Sequence, residues 1–325
     1  MKNYIIGILV LFTLTFLFGC ESEQVAEKVN SKEETKQEEK KQEEAPFFWK
    51  VTEEENTVYL LGSIHVGNED MYPLDQVVEE AYDISDYLVV EANITDISEE
   101  MFNPELISQM MYMDGSLLSE HISETSYEKL SELISQHNLE GLSMTELNHM
   151  KPWMIKMLLS ELLLSEEETI QSEFGIDLHF LERATADNKS ILELEGVDEQ
   201  LSFYSKMPDE LQIQALEETL VALEEEPNDA AVKQIIEAWK TGSEEQLAPL
   251  VSIDEGGTIS DYQAYEVDLM EKRNIQMVEK IKGYLTDGTG QTYFVVVGAA
   301  HFLDEIGLDN LLSKDFTVKS YEEMN

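Results

Sequence analysis

Thr292-Tyr293-Phe294-Val295-Val296-Val297-Gly298-Ala299-Ala300-His301 is the stretch around which the fold of this chain can be read. Its first six residues carry no charge and favour extended backbone. A run apolar on both faces is the signature of a strand buried inside a parallel sheet. Gly298 then lets the chain leave the strand sharply, through backbone angles that other residues resist. His301 falls just beyond the strand's C-terminal end. An earlier stretch repeats the pattern: Tyr59-Leu60-Leu61-Gly62-Ser63-Ile64-His65. Either G-x-x-H alone is a weak signal. Two copies, each directly behind a buried strand, are a stronger one, because ligands of open parallel sheets bind at that edge.

Working outward, Phe47 to Val51 and Thr57 to Leu61 read as a hairpin around the polar turn Thr52 to Asn56. Leu74, Val77, Val78, Ala81 and Tyr82 follow helical spacing, so an amphipathic helix is expected over Leu74 to Ser85. Tyr87 to Ala92 is a short buried strand, completing a βαβ unit with parallel pairing. The middle is mainly helical: Ser126 to His137, an apolar Met-rich run from Met144 to Leu164, and a helix after Gly175-Ile176-Asp177. Ser190 to Glu195 is another strand, ended by Gly196. Helices are expected over Pro208 to Glu225, Asp229 to Lys240, Tyr262 to Leu285 and around Asp304 to Leu312, with a last strand at Phe316 to Tyr321. The class is α/β: a central mixed, largely parallel sheet flanked by helices, with a helical insertion.

Two carboxylates share the position of the histidines. Glu91 closes Leu88-Val89-Val90, and Glu195 closes Ile191-Leu192-Glu193-Leu194. A charge at the end of a buried strand is costly unless paired, solvated or coordinated. One such residue is best read as a cap on the sheet. Four at equivalent strand ends favour a site made of His65, His301, Glu91 and Glu195. His121, His137 and His149 sit in polar or helical surroundings and are weaker candidates. His179 is ambiguous, and Asp177 suits either an early-helix position, where it complements the helix dipole, or the orientation of a catalytic group.

The two ends of the chain differ in kind. After Met1-Lys2-Asn3, Tyr4 to Phe18 is almost wholly apolar, too short for a comfortable membrane span and of the right length for a signal peptide. It runs into Leu17-Phe18-Gly19-Cys20, a lipobox whose cysteine accepts lipid, and Cys20 is the single cysteine of the chain. Residues 1–19 are therefore expected to be a lipoprotein signal peptide, and residues 20–46 a lipidated, Glu- and Lys-rich tether with too little apolar surface to fold. Residues 47–325 form the folded domain, held by a lipid anchor on the extracytoplasmic face of the cell membrane. A net charge of −47, from 68 Asp and Glu against 21 Lys and Arg, argues against nucleic acid and anionic headgroups as partners.

Along Phe47 to Tyr321 the chain resembles the TraB/PrgY/GumN family. The resemblance rests on Gly62-Ser63-Ile64-His65-Val66-Gly67 with Tyr72-Pro73-Leu74, on Glu91, and on Lys151-Pro152-Trp153. It continues through Gly175-Ile176-Asp177, Leu194-Glu195 with Gln200-Leu201, Arg273-Asn274 and Gly298-Ala299-Ala300-His301, in that order. It implies an architecture like that of erythromycin-esterase-like and ChaN-like proteins, and kinship with the TIKI metal-dependent proteases. On that footing His65, His301 and Glu91 are expected to ligate Mn²⁺, Co²⁺ or Zn²⁺, with Glu91 or Glu195 as ligand or general base. Arg273 would stabilise an oxyanion or hold a substrate carboxylate, with Asn274 beside it as a substrate-binding residue.

Three functions stay open from the sequence. The first is a metal-dependent peptidase acting on peptides or protein segments. The second is a metal-independent ester or amide hydrolase, with a histidine as general base and a glutamate orienting it. The third is a non-catalytic lipoprotein that captures a peptide or small molecule. The chain has no HExxH and no G-x-S-x-G, so a standard zincin or serine hydrolase has no support.

Overall fold

The computed structural model describes residues 46–95, 104–137, 143–160, 170–223, 229–251 and 259–324. The expected signal peptide, Cys20 and nearly all of the tether lie outside the described residues, as does the apolar run beyond Ser160.

Six strands form one sheet: β1 (Phe48–Glu53), β2 (Asn56–Ser63), β3 (Tyr87–Val90), β4 (Ser190–Glu193), β5 (Thr292–Gly298) and β6 (Val318–Ser320). Their order is β4-β3-β5-β2-β1-β6. The four strands β4, β3, β5 and β2 are mutually parallel, while β1 pairs antiparallel with both β2 and β6. The sheet is thus mixed and largely parallel, and the run at 292–298 lies in its middle.

Helices fill the connections. Between β2 and β3 lies α1 (Gln76–Ile84). The passage from β3 to β4 holds α2 (Pro104–Met110), α3 (Glu124–His137), α4 (Met144–Leu147), α5 (Pro152–Ser160) and α6 (Ile176–Asp187). From β4 to β5 run α7 (Val197–Ser205), α8 (Asp209–Ala222), α9 (Asp229–Lys240), α10 (Glu244–Val251) and α11 (Asp261–Thr286). After β5 come α12 (Leu308–Leu312) and, beyond β6, α13 (Tyr321–Met324).

The side-chain period of two along β5 decides which helix covers which face. Phe294 and Val296 share a core with α1, α6, α9 and α10, which contribute Tyr82, Phe180, Trp239 and Leu247. Val295 and Val297 meet α11 and α12 through Met277, Ile281, Leu285 and Leu308. A third apolar core stands apart from the sheet, where Leu130, Trp153, Leu201 and Leu216 pack helices α3, α5, α7 and α8 into the expected helical insertion. No helix among the described residues is long and apolar enough to cross a membrane.

Several boundaries differ from the sequence expectation. The helix expected from Asp304 begins at Leu308, and the last strand is cut to Val318–Ser320 because Tyr321 opens α13. Helices α2, α7 and α10 are additional, and α10 carries Pro249, a residue that ordinarily argues against a helix interior.

Candidate functional site

Every parallel strand delivers one candidate residue to the same edge. His65 lies two residues past β2, Glu91 directly after β3, Glu195 two residues past β4, and His301 in a 3₁₀ turn, Ala299–Phe302, that follows β5. The local sequence holds them there. The Trp239 indole N–H of α9 donates to the Gly62 carbonyl at 2.7 Å, pinning the end of β2. Gly175, just before α6, passes so close that a Cβ on it would lie 2.5 Å from the His65 carbonyl oxygen. The backbone N–H groups of Glu195 and Gly196 both donate to the Glu91 carbonyl at 2.9 Å, and Gly196 takes a left-handed φ of 98° that glycine tolerates.

Glu91 is 4 % exposed and fully engaged. Its Oε1 accepts from the Gly298 N–H at 2.7 Å. Its Oε2 accepts from Arg273 Nη2 at 2.8 Å and Gln200 Nε2 at 3.2 Å. Arg273 forks onto Glu195 as well, Nε to Oε1 and Nη2 to Oε2, both at 2.8 Å. Gln200 completes the bridge with a 3.0 Å bond to Glu195 Oε2. Burial raises the Glu91 pKa, and Glu195 adds to the rise, against the pull of Arg273 and the Gly298 N–H. The Arg273 guanidinium stays charged: burial opposes its charge, and the two glutamates outweigh burial.

Each histidine is held by its Nδ1. His65 Nδ1 lies 2.7 Å from Asp177 Oδ2, in the first turn of α6, and the other oxygen of Asp177 accepts from Ser63 Oγ at 2.7 Å. Burial works against the charged ring of His65, but Asp177 outweighs it and raises the pKa. Burial likewise disfavours charge on Asp177, and His65 and Ser63 reverse the balance, so its carboxyl titrates low. His301 Nδ1 is hydrogen-bonded to Asn274 Oδ1 of α11. Burial, Arg273 and His65 together hold His301 neutral, with its pKa well below the ordinary histidine value.

The free ring edges and Glu91 meet around Gly298. A Cβ built there would lie 3.3 Å from Glu91 Oε1, 3.7 Å from His301 Cδ2 and 4.0 Å from His65 Nε2. His301 Nε2 stands 3.7 Å from Glu91 Oε1. Among the described residues no group of three or more His, Cys, Asp or Glu side chains is arranged so as to hold a metal ion. Imidazole and carboxylate are nonetheless the donor types that divalent ions take. Two tetrahedral ligands about 2.1 Å from one metal stand roughly 3.4 Å apart, close to the 3.7 Å between His301 Nε2 and Glu91 Oε1. Three buried or half-buried carboxylates (Glu91, Glu195, Asp177) face one guanidinium and one charge-favouring histidine. A net negative buried centre is costly alone and favours a cation.

All six residues singled out at the strand ends and on the long helix therefore meet in one place, though two do so in other roles than expected. Asn274 is fully buried and spends its amide on His301 and on the carbonyls of His301 and Ile306, so it is placed to aim a ring and not to touch substrate. Arg273 is 3 % exposed with its fork committed to two glutamates. Gln200, Ser63 and Gly298 also shape the centre. Gln200 was legible as a polar residue within the apolar stripe Val197, Leu201, Tyr204; Ser63 and Gly298 had no signal beyond the G-x-x-H motifs themselves. Of the other histidines, His121 stacks on Tyr112 and His179 on Tyr72, each at 4.3 Å between centroids. The side chain of His137 lies outside the described residues.

The fold and centre define an α/β protein whose parallel-sheet edge carries paired histidines and paired glutamates. The sequence model of the TraB/PrgY/gumN family matches residues 47–320, and the chain belongs to that family. Relatives include a protein of Escherichia coli (strain K12) named "Uncharacterized protein YbaP", 28 % identical over 254 residues, 78 % of this chain and 87 % of the relative. An "Uncharacterized protein" of Treponema pallidum (strain Nichols) is 25 % identical over 277 residues, 82 % of this chain and 80 % of its own length. No solved structure matches the chain.

Proposed function

We propose that this chain is a membrane-tethered extracytoplasmic hydrolase, a metal-dependent peptidase acting on peptides or protein segments. The observation that carries the proposal is the meeting of His65 Nε2, the His301 ring and Glu91 Oε1 within 4.0 Å of one point beside Gly298. A side chain is absent from that point, and each donor is aimed by a second residue. These three residues would hold Mn²⁺, Co²⁺ or Zn²⁺, and such an ion supplies an acidified water and a polarised substrate carbonyl.

The chain's own residues have distinct tasks. Asp177 and Asn274 orient the two rings. Arg273 and Gln200 keep Glu91 and Glu195 side by side despite their like charge. Glu91, fixed by Arg273, Gln200 and the Gly298 N–H, would present Oε1 to the ion as its carboxylate ligand. Near-complete burial of Glu91, His301 and Arg273 excludes bulk water, which strengthens every charge interaction there. Anchoring through Cys20 would keep this activity at the outer membrane face.

A metal-independent reading has one observation in its favour. The His65–Asp177 pair at 2.7 Å is the arrangement of a general base with its orienting carboxylate. Ser63 gives this reading no nucleophile, since its hydroxyl donates to Asp177. One experiment separates the alternatives: the protein from Ala45 onward is purified, its metal content measured, and a peptide library digested with and without chelator. Cleavage that stops on chelation and returns with Mn²⁺, Co²⁺ or Zn²⁺ supports the peptidase. Cleavage indifferent to chelation favours the His65–Asp177 base, and an intact peptide retained without cleavage favours a capture protein.

A further inference from the structure

We propose that Asp177 and Asn274 are positioning residues that lock His65 and His301 in one and the same tautomer, with the proton on Nδ1 and a bare lone pair on Nε2. The consequence for catalysis rests on the hydrolase reading above; the tautomers do not.

The assignment for His301 follows from donor and acceptor bookkeeping. Asn274 Nδ2 donates to the Ile306 carbonyl at 2.8 Å and approaches the His301 carbonyl at 3.4 Å. Carbonyl oxygens only accept, so the amide nitrogen must point to them and Oδ1 must point to the ring. An amide oxygen also only accepts. The hydrogen bond between Oδ1 and His301 Nδ1 therefore requires the proton to sit on Nδ1. Asn274 is fully buried and His301 is 3 % exposed, so water offers little competition for either atom.

His65 reaches the same state by different means. Asp177 accepts from Ser63 on Oδ1 and faces His65 Nδ1 with Oδ2 at 2.7 Å. An ionised carboxylate has no proton to give, so Nδ1 again carries it. The two locks come from separate elements, the first turn of α6 and the middle of α11, and from different chemistry, an anion and a neutral amide. Their shared result is that both ring lone pairs lie on the side of Glu91 Oε1 and the space beside Gly298. Outer partners that fix the tautomer of a ligating histidine are worth about tenfold to a hundredfold in metal affinity.

Ring ¹⁵N spectra of the metal-free protein at mildly alkaline pH test the tautomers directly, with His65→Gln and His301→Gln providing assignments. Wild type is expected to show protonated Nδ1 and pyridine-like Nε2 for both rings. Asn274→Ala should shift His301 towards an Nε2–H form, and Asp177→Ala should do so for His65. Asn274→Asp, which keeps an acceptor, should preserve the His301 tautomer. Zn²⁺ titration of the same proteins should show roughly tenfold to a hundredfold weaker binding in the two alanine variants. An Nε2–H ring in wild type overturns the proposal, as does an unchanged tautomer in a folded alanine variant. If an alanine variant does not fold, the wild-type spectrum and Asn274→Asp decide. Correct tautomers in a protein that binds none of Zn²⁺, Mn²⁺ or Co²⁺ would sink the metal-dependent reading and leave the positioning roles standing.

Discussion

Gly298 concentrates the consequences of single residues. Its φ of −47° is open to any amino acid, so Gly298→Ala should fold. The added methyl would nevertheless sit 3.3 Å from Glu91 Oε1 and between the two histidines. The expected outcome is a protein of near-normal melting temperature with turnover and metal content lowered at least tenfold; wild-type activity in the folded variant would show that the space beside Gly298 is not used. His65→Ala and His301→Ala should each cut peptide turnover by roughly a hundredfold or more, the scale of losing an acid–base or ligating group. Circular dichroism should show the fold intact, because Val89 and Val296 do the packing beneath them. Arg273→Ala should behave differently. It strands Glu91 and Glu195 together without a cation, which costs on the order of 3–5 kcal/mol, so denaturant unfolding should register its loss before any assay does. At this scale the sequence showed the histidines and glutamates because each follows a buried strand. Asp177 is ambiguous in the sequence and Asn274 reads there as a substrate residue, because both act through partners more than 25 residues away, and sequence spacing carries no information on such pairs.

Among the elements, α11 carries the heaviest load. Its C-terminal half packs on the sheet, its middle supplies Arg273 and Asn274, and its first turns enter the helical insertion. There Glu266 accepts a hydrogen bond from the Tyr262 hydroxyl and shares its surroundings with Lys156 of α5, whose buried amine has no hydrogen-bond partner, and with Glu218 of α8. Burial pushes the Glu266 pKa up to about 7, against the pull of Lys156 and Tyr262. A carboxyl raised in the folded state gives stability that is complete below its ordinary value of 4.5 and is lost as pH rises through about 7. The whole effect is on the order of 3 kcal/mol. Glu266→Gln should therefore gain on wild type as pH climbs across that window, measured as urea midpoints at a series of pH values; a constant difference would show that Glu266 does not ionise there. Strands and long helices were legible because their periods are clean. Helix α7, which brings Gln200 to both glutamates, was not, since its nine residues start directly behind the strand-ending Gly196 and include Asp198 and Glu199. Helix α10 was hidden by Pro249.

At the scale of the molecule, sheet topology explains why the site could be expected at all. Four parallel strands must present their C-terminal ends on one edge, so residues 65, 91, 195 and 301 meet once parallel pairing is granted. The helical insertion was visible as composition, while its separate core and its reach back to the site through α7 depend on contacts between helices far apart in sequence. The other expectation at this scale is the anchor. Tyr4 to Phe18 followed by Gly19-Cys20 proposes lipidation at Cys20, and the Glu- and Lys-rich stretch to Ala45 offers almost no apolar surface to a core. The apolar cores of the described residues are built from Phe47 onward. Metabolic labelling with a fatty-acid analogue should mark the wild-type chain and not Cys20→Ser, which should accumulate as precursor or be released; label that survives the substitution would remove the anchor. A chain beginning at Pro46 should unfold cooperatively within about 0.5 kcal/mol of the delipidated full-length protein, as expected when the deleted residues touch no core. It should also keep its peptide turnover, because the described side chains of the centre beside Gly298 come from residues 63 to 301. A large loss of stability on removing only the residues before Pro46 would mean that the segment packs against the domain, and the separation of anchor from enzyme would fail with it.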